Sequence, residues 1–174
     1  MFLLVQCLSY NNNIDRSSTK GALIMEHFAD GTFNTAANTG FAYILISNNF
    51  KHIHLNVVGR KFDRIHELCD TYYQHFAEQA DFWFELAMQS LDAIDNPSNA
   101  AQHSDIPVII ESNYNYETAC TAMYAELENA VKAITTLREK AEGMTDVQSD
   151  CDSELSYLNK ELNFFMRRRM TDID

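Results

Sequence analysis

The sequence is poor in the residues that interrupt helices. Its 174 residues include only 5 glycines and 2 prolines. Neither residue occurs inside the interval from Gly59 to Pro97, or inside the interval from Pro107 to Gly143. Both intervals can hold helices longer than the usual length of about 11 residues. The sequence therefore favours a single all-α domain, and its hydrophobic fraction of 46% is enough for a sizeable core.

Three further shortages exclude classes of function. The four cysteines contain no Cys-x-x-Cys pair, which argues against a zinc site or a disulfide framework and fits reduced thiols in the cytoplasm. No segment approaches the roughly 20 apolar residues that span a membrane. Positive charge is scarce, with 13 Lys and Arg against 25 Asp and Glu and a formal net charge of −12. Such a surface repels nucleic acid and anionic lipid and attracts cations.

The first 34 residues are polar and rich in turn-forming residues, so we expect an extended or disordered arm there. A short helix near residues 22–28 is the one regular element expected within it. The apolar run at the start has no preceding positive charge and no clear cleavage site, which argues against a signal peptide. Met25 is a second candidate start of the chain.

Four helices are predicted for residues 35–170, followed by a short tail, 171–174. Apolar residues recur at spacings of three and four, which is the helical pattern. They predict a core stripe from Phe62 to Leu91 in the second helix and another from Ala119 to Ala141 in the third. Gly143 is expected to end the third helix, and Thr145 with Gln148 reads as a capping box for the fourth. The predicted bounds are Asn34–His54, Lys61 to about Ala93, Tyr116–Glu142 and Thr145 onward. The long connection before the third helix should hold a short extra helix and a short buried piece, Val108–Ile110.

Two pairs of metal-type ligands share one face of the second helix. His66 and Asp70 are four residues apart, and so are Asp81 and Glu85. Along the axis the pairs lie roughly 16 Å apart, because an α-helix rises about 1.5 Å per residue. One copy of the helix cannot gather them around one ion, whereas two copies packed antiparallel about a two-fold axis can. Imidazole and carboxylate ligands suit iron, manganese or zinc.

The same segment resembles the Dps family of mini-ferritins, over about residues 35 to 170. The family pattern is roughly H-W-N-x-x-G-x-x-F-x-x-x-H-E-x-x-D, followed by D-x-x-x-E. The residues of this sequence that fall in register with it are His54, Asn56, Gly59, Phe62, His66, Glu67, Asp70, Asp81 and Glu85.

The resemblance implies an all-α, ferritin-like four-helix bundle and a hollow homo-dodecamer built from two-fold dimers. It implies a ferroxidase that oxidises Fe²⁺, usually with hydrogen peroxide, and stores ferric mineral in the cavity. His54, His66 and Asp70 of one subunit and Asp81 and Glu85 of its two-fold mate would bind two irons. Asp70 and Glu85 would hold the tighter one. The chain has no Glu-x-x-His motif, which argues against a di-iron centre inside one bundle.

Two positions depart from the family pattern. Leu55 and Phe164 stand where the family has tryptophans that are thought to intercept radicals beside the iron site. Tyr72 and Trp83 are candidate substitutes, although Trp83 points roughly opposite to Asp81 and is better explained as a core residue.

Asp146, Asp150 and Glu154 recur every four residues at the start of the fourth helix. Acidic residues favour a helix N-terminus in any protein, and this is the ordinary explanation. The resemblance instead places them at a three-fold pore through which Fe²⁺ enters the cavity. Three subunits would then supply rings of carboxylates that concentrate cations.

Two other functions remain open at this point. The first is DNA compaction, which in such proteins normally depends on a basic terminal tail. The arm has only Arg16 and Lys20, and the one basic run, Arg167–Arg169, can equally complement the helix dipole or pair with carboxylates between subunits. The second is an inert bundle whose acidic residues are only a solvated face.

Overall fold

The computed structural model describes the backbone of residues 16–171 and the side chains of residues 31–171. Four long helices form a bundle, and a 3₁₀ helix lies in the connection between the second and the third. Their bounds are α1 Arg16–Asn56, α2 Phe62–Ala87, the 3₁₀ helix Pro97–Gln102, α3 Tyr116–Lys140 and α4 Thr145–Lys160. The predicted all-α bundle with a short extra helix in its long connection is confirmed.

The last helix does not end at Lys160. It continues through a π-helical turn, Glu161–Met166, into a final α-helical turn, Arg167–Met170. The one strand-like pairing in the described part of the chain is an isolated bridge between Val57 and Tyr114. None of the helices in residues 16–171 is both long and apolar enough to cross a membrane.

The first helix begins much earlier than the sequence pattern indicated. Residues 16–34, which we expected to be an arm, are helical and continuous with the predicted first helix, so this part of the expectation was wrong. The stretch ALIMEHFA at residues 22–29 consists mostly of good helix formers, which offset the cost of the neighbouring polar residues and glycines. Residues 1–15 and 172–174 lie outside the described residues, so the rest of the arm and most of the tail remain predictions.

The helix ends near Gly143 agree with the sequence in one respect and differ in another. Gly143 has a φ of +87° in the turn after α3, as a C-terminal glycine should. The predicted capping box of Thr145 and Gln148 is not formed. The cap position is Met144, which makes no side-chain cap bond. The backbone amide of Gln148 donates to the Met144 carbonyl at 2.9 Å. The box was wrong because the helix begins one residue earlier than the motif requires.

The predicted core stripes of α2 and α3 lie in the centre of the bundle. In α3 the whole predicted stripe is fully buried, namely Ala119, Met123, Leu127, Ala130, Ile134, Leu137 and Ala141. In α2 Phe62 is an exception, being 39% exposed. The expected buried piece Val108–Ile110 was wrong, since Val108 is 59% and Ile110 is 85% exposed. The backbone there is irregular, so helical periodicity does not decide which way the side chains point.

The helices α1 and α2 pack closely and antiparallel. A Cβ built on Gly40 would lie 2.5 Å from the ring of Phe84, so this glycine allows the two helices to approach. Further along, the Ser47 hydroxyl donates to the Tyr73 carbonyl at 2.7 Å. The antiparallel register therefore brings the end of α1 beside the start of α2.

We expect Gly40→Ala to destabilise the protein, although alanine favours a helix. The new methyl group would overlap the Phe84 ring, and overpacking of a core typically costs about 1–3 kcal/mol. Gly31→Ala is the matched control, because a Cβ placed on Gly31 would meet no atom of the described residues within 4 Å beyond its own helix backbone, and the helix should gain up to about 1 kcal/mol. Thermal unfolding midpoints of the two variants measure the difference. Equal or higher midpoints for Gly40→Ala would contradict the close approach.

Candidate metal site

Both predicted ligand pairs lie on α2, which runs through them without interruption. His66 and Asp70 are partly buried near its start, whereas Asp81 and Glu85 are exposed near its end. The pairs are about 16 Å apart along the axis, at about 1.5 Å per residue. Among the described residues, no three histidine, cysteine, aspartate or glutamate side chains lie close enough together to hold a metal ion. One chain by itself therefore does not bring the two pairs together.

His54, near the end of α1, and His66 face each other across the helix pair. Their rings are stacked with centroids 3.7 Å apart. The Nδ1 atom of His54 lies 3.1 Å from the carbonyl oxygen of His66, and the Nδ1 atom of His66 lies 3.0 Å from the carbonyl oxygen of His54. Because a carbonyl only accepts, each Nδ1 carries the proton. This tautomer leaves the Nε2 lone pair of both rings available to a metal ion and fixes both ring orientations.

The turn between α1 and α2 explains why these two residues meet. Gly59 has a φ of +87° and Lys61 a φ of +64°, and these left-handed conformations reverse the chain. The Val58 amide donates to the carbonyl of Tyr114 at 2.8 Å, which ties the turn to the residues before α3. The carbonyl of His54 belongs to the last turn of α1, where the helix has no amide donor left. The His66 ring supplies that donor.

Three contacts around His54, His66 and Asp70 were not predicted from the sequence. The ring of Phe62 stacks on His66 with a centroid distance of 4.9 Å, and Tyr73 meets His54 edge-on at 5.7 Å. The amide of Gln74 donates to Oδ2 of Asp70 at 2.9 Å, which orients that carboxylate. Gln74 could have been found from its spacing, since it lies one helical turn after Asp70.

The three acidic residues expected at a pore do not share one environment. Asp146 and Asp150 are exposed at the start of α4. Glu154 is buried, and its Oε1 atom accepts from the Tyr43 hydroxyl and from Nε2 of His75, each at 3.1 Å. Burial within one chain sets Glu154 apart from the two exposed carboxylates, and its place at a pore stays a prediction. Its side chain turns into the bundle because it lies on the buried face of α4, one turn before Leu158.

Glu154 belongs to a polar seam between α2 and α4 that sequence reasoning missed. The hydroxyl of Tyr72 donates to Oε2 of Glu161 at 2.6 Å, and the rings of His75 and Tyr157 lie 4.2 Å apart. Burial raises the pKa of Tyr72, so it stays a neutral donor. The available signal was the three-and-four spacing of Glu154, Tyr157 and Glu161, which places them on one helical face.

Trp83 and the buried cysteines have a structural role. Trp83 is fully buried, as a core residue should be. The cysteines within the described range, Cys69, Cys120 and Cys151, are buried and free. Burial raises the pKa of Cys69 to about 12, so this thiol is not reactive near neutral pH.

Comparison with known sequences found no match, either to a protein-family model or among curated proteins. Comparison with solved structures did find matches. CAIP from Helicobacter cinaedi is 17% identical with a TM-score of 0.74, over 80% of this chain and 99% of that one. Dps from Mycobacterium smegmatis is 19% identical with a TM-score of 0.71, over 82% and 88% of the two chains.

A third match is Dps from Microbacterium arborescens in its high iron form. It is 20% identical, with a TM-score of 0.57 over 78% of this chain and 93% of that one. At such identities the similarity establishes architecture and not chemistry. The chain thus has the fold of the Dps structures, a ferritin-like four-helix bundle.

Proposed function

We propose that the protein is a cytoplasmic iron-storage and detoxification protein that oxidises Fe²⁺ at sites between two-fold-related copies of the chain. The observation that carries the proposal is the stacked pair of His54 and His66, each with its Nε2 free for a metal ion. Asp70 follows one turn after His66. Asp81 and Glu85 lie about 16 Å further along the same helix face, where only a second copy can present them.

The ligand set suits iron as the substrate. His54, His66 and Asp70 of one copy would face Asp81 and Glu85 of the other, and each such site would bind two Fe²⁺ ions. Each ion would give one electron to the same hydrogen peroxide molecule. Its O–O bond would break, and two protons would complete two molecules of water. The two Fe³⁺ ions would then pass to mineral stored in the cavity of a dodecamer.

Apolar side chains around the site support contact with a second copy. Eight large apolar side chains are exposed in the described part of the chain, and five of them lie on α2, directly after it, or in the turn and the end of α1 that precede it. They are Leu55, Val58, Phe62, Phe82 and Met88. Exposed apolar residues gathered on one segment are typical of an interface. A two-fold contact through this segment would bury them and complete both metal sites.

The net charge supports iron handling rather than nucleic-acid binding. A chain with a formal charge of −12 attracts cations, and twelve copies would do so more strongly. Asp146 and Asp150, exposed at the start of α4, are the residues that we propose for an entry pore.

We expect Asp70→Ala or Glu85→Ala to abolish rapid Fe²⁺ oxidation while the assembly keeps the mass of about twelve subunits. Each change removes an anionic oxygen ligand without touching the buried stripe of α2. Glu128→Ala is the matched control, since it removes the same charge from an exposed position of α3. Iron-oxidation absorbance with either O₂ or hydrogen peroxide, together with size-exclusion mass, measures both outcomes. Full activity of Asp70→Ala would contradict the ligand assignment.

A mixture of two inactive chains tests whether the site is shared. One chain lacks His66 and Asp70, and the other lacks Asp81 and Glu85. In a heterodimer all the lost ligands collect in one site and the other site is intact, so random mixing should restore roughly a quarter of the wild-type sites. Heterodimers that are proven by mass but regain no activity would show that each site is built within one chain.

The alternative function is DNA compaction with iron handling secondary. The basic run Arg167–Arg169 is the observation that favours it. Because phosphate contact is opposed by the net charge, we expect no shift of duplex DNA at physiological salt, with or without residues 1–30. A gel shift that disappears when that arm is removed or when these arginines become alanines would favour the alternative.

A further inference from the structure

Residues 104–111, here called the strap, cross the bundle between the 3₁₀ helix and α3 without regular structure. Side chains of α1 hold their backbone. The side-chain amide of Asn49 donates to the Pro107 carbonyl at 2.9 Å, and its Oδ1 accepts from the Ile109 amide at 3.1 Å. The Asn49 side chain therefore makes one donor and one acceptor hydrogen bond to the backbone of the strap, as the backbone of a neighbouring β-strand would.

Glu126 of α3 completes this arrangement. Its Oε1 atom accepts a second hydrogen bond from the Asn49 amide, at 3.1 Å. Asn49 and Glu126, here called the clasp, are 2% and 3% exposed. The Oε2 atom of Glu126 is buried and has no hydrogen-bond partner among the described residues. A carboxylate in this position is poorly solvated, which disfavours its charged form.

The groups around the clasp do not compensate that charge. Burial raises the pKa of Glu126 to about 7, and the side-chain amides of Asn49 and Asn129 offset only part of the rise. The titratable side chains nearby are Tyr114, whose own pKa is raised by burial and by the charges of Glu111 and Glu126, and His52 of α1. The groove that Asn129 lines also contains His103, Asp105 and Lys132.

We propose that the clasp is a proton-sensitive latch that keeps the strap closed while Glu126 is protonated and releases it when Glu126 ionises. Protonated, Glu126 still accepts from Asn49 through Oε1, so the strap stays in place. Ionised, it carries a buried charge that water reaches only if the strap lifts. The closed strap presents the exposed side chains of Val108 and Ile110 outward. Opening would therefore change the apolar surface of the subunit.

The direction of the pH dependence follows from the two states. In the opened strap the pKa of Glu126 returns to its ordinary value of 4.5, whereas in the closed strap it is about 7. Protonated Glu126 stabilises the closed strap fully at a pH below the lower pKa. This stabilisation decreases as the pH rises towards the higher pKa. Between about pH 5.5 and about pH 8, the opening equilibrium should increase roughly twentyfold to thirtyfold.

Amide hydrogen exchange of the whole protein tests the latch, because the Ile109 amide is protected by Asn49. Its protection factor should fall roughly twentyfold to thirtyfold over that pH range in the wild type. Glu126→Gln keeps an acceptor for Asn49 but cannot ionise, so its protection should change less than about twofold. Glu128→Gln loses the same charge from an exposed position two residues away and should behave as the wild type. A pH dependence retained in Glu126→Gln would overturn the proposal.

Two further measurements keep the test decisive if Glu126→Gln does not fold. In the wild type, the Ile109 transition should have a midpoint near pH 7, and protection that does not vary with pH would overturn the latch. His52→Gln should leave this transition in place, because His52 contacts only the end of the strap. Loss of the transition in that variant would assign it to the histidine and overturn the proposal.

Discussion

The antiparallel packing of α1 on α2 is the constraint on which the rest of this structure depends. Ser47 and His54 are seven residues apart on α1, and they face Tyr73 and His66, seven residues apart in the reverse direction on α2. Gly40 sets the separation of the two helices at the other end, through its contact with Phe84. If this register slipped by one residue, the imidazole pair would be lost.

The same rigidity that aligns the histidines keeps the two ligand pairs apart. An unbroken α-helix has a fixed rise, so neither side-chain rotation nor a loop movement can bring Glu85 to His66 within one chain. Packing in the bundle core fixes the orientation of α2, and the ligand face is the face that the core leaves open. A shared site is then a property of helix geometry rather than of a flexible segment, and the proposed function depends on a second copy.

Periodicity made much of this fold predictable and left specific parts out of reach. The apolar stripe of α3 and the shared face of the α2 ligands follow from the spacing of these residues in the sequence, because an α-helix has 3.6 residues per turn. The burial of the Glu154 side chain does not follow from spacing alone. An acidic residue on a buried face is expected only if donors such as Tyr43 and His75 lie opposite, and those come from other helices. Val108 was wrongly predicted to be buried, because side chains on an irregular backbone have no regular periodicity.

The π-helical turn at Glu161–Met166 has a consequence for how this chain tolerates changes in length. A π turn holds one more residue than the α turn that it replaces, so it is an insertion absorbed within a helix. Removal of one residue from this turn would restore regular α-helical geometry and leave the residues that follow, Met166 among them, facing much as they do now. The same deletion in an α-helical part of α4 would rotate everything that follows by about 100°. The turn at Glu161–Met166 is thus the place in this helix where the loss of a single residue shortens the chain without turning the surface that carries the arginines.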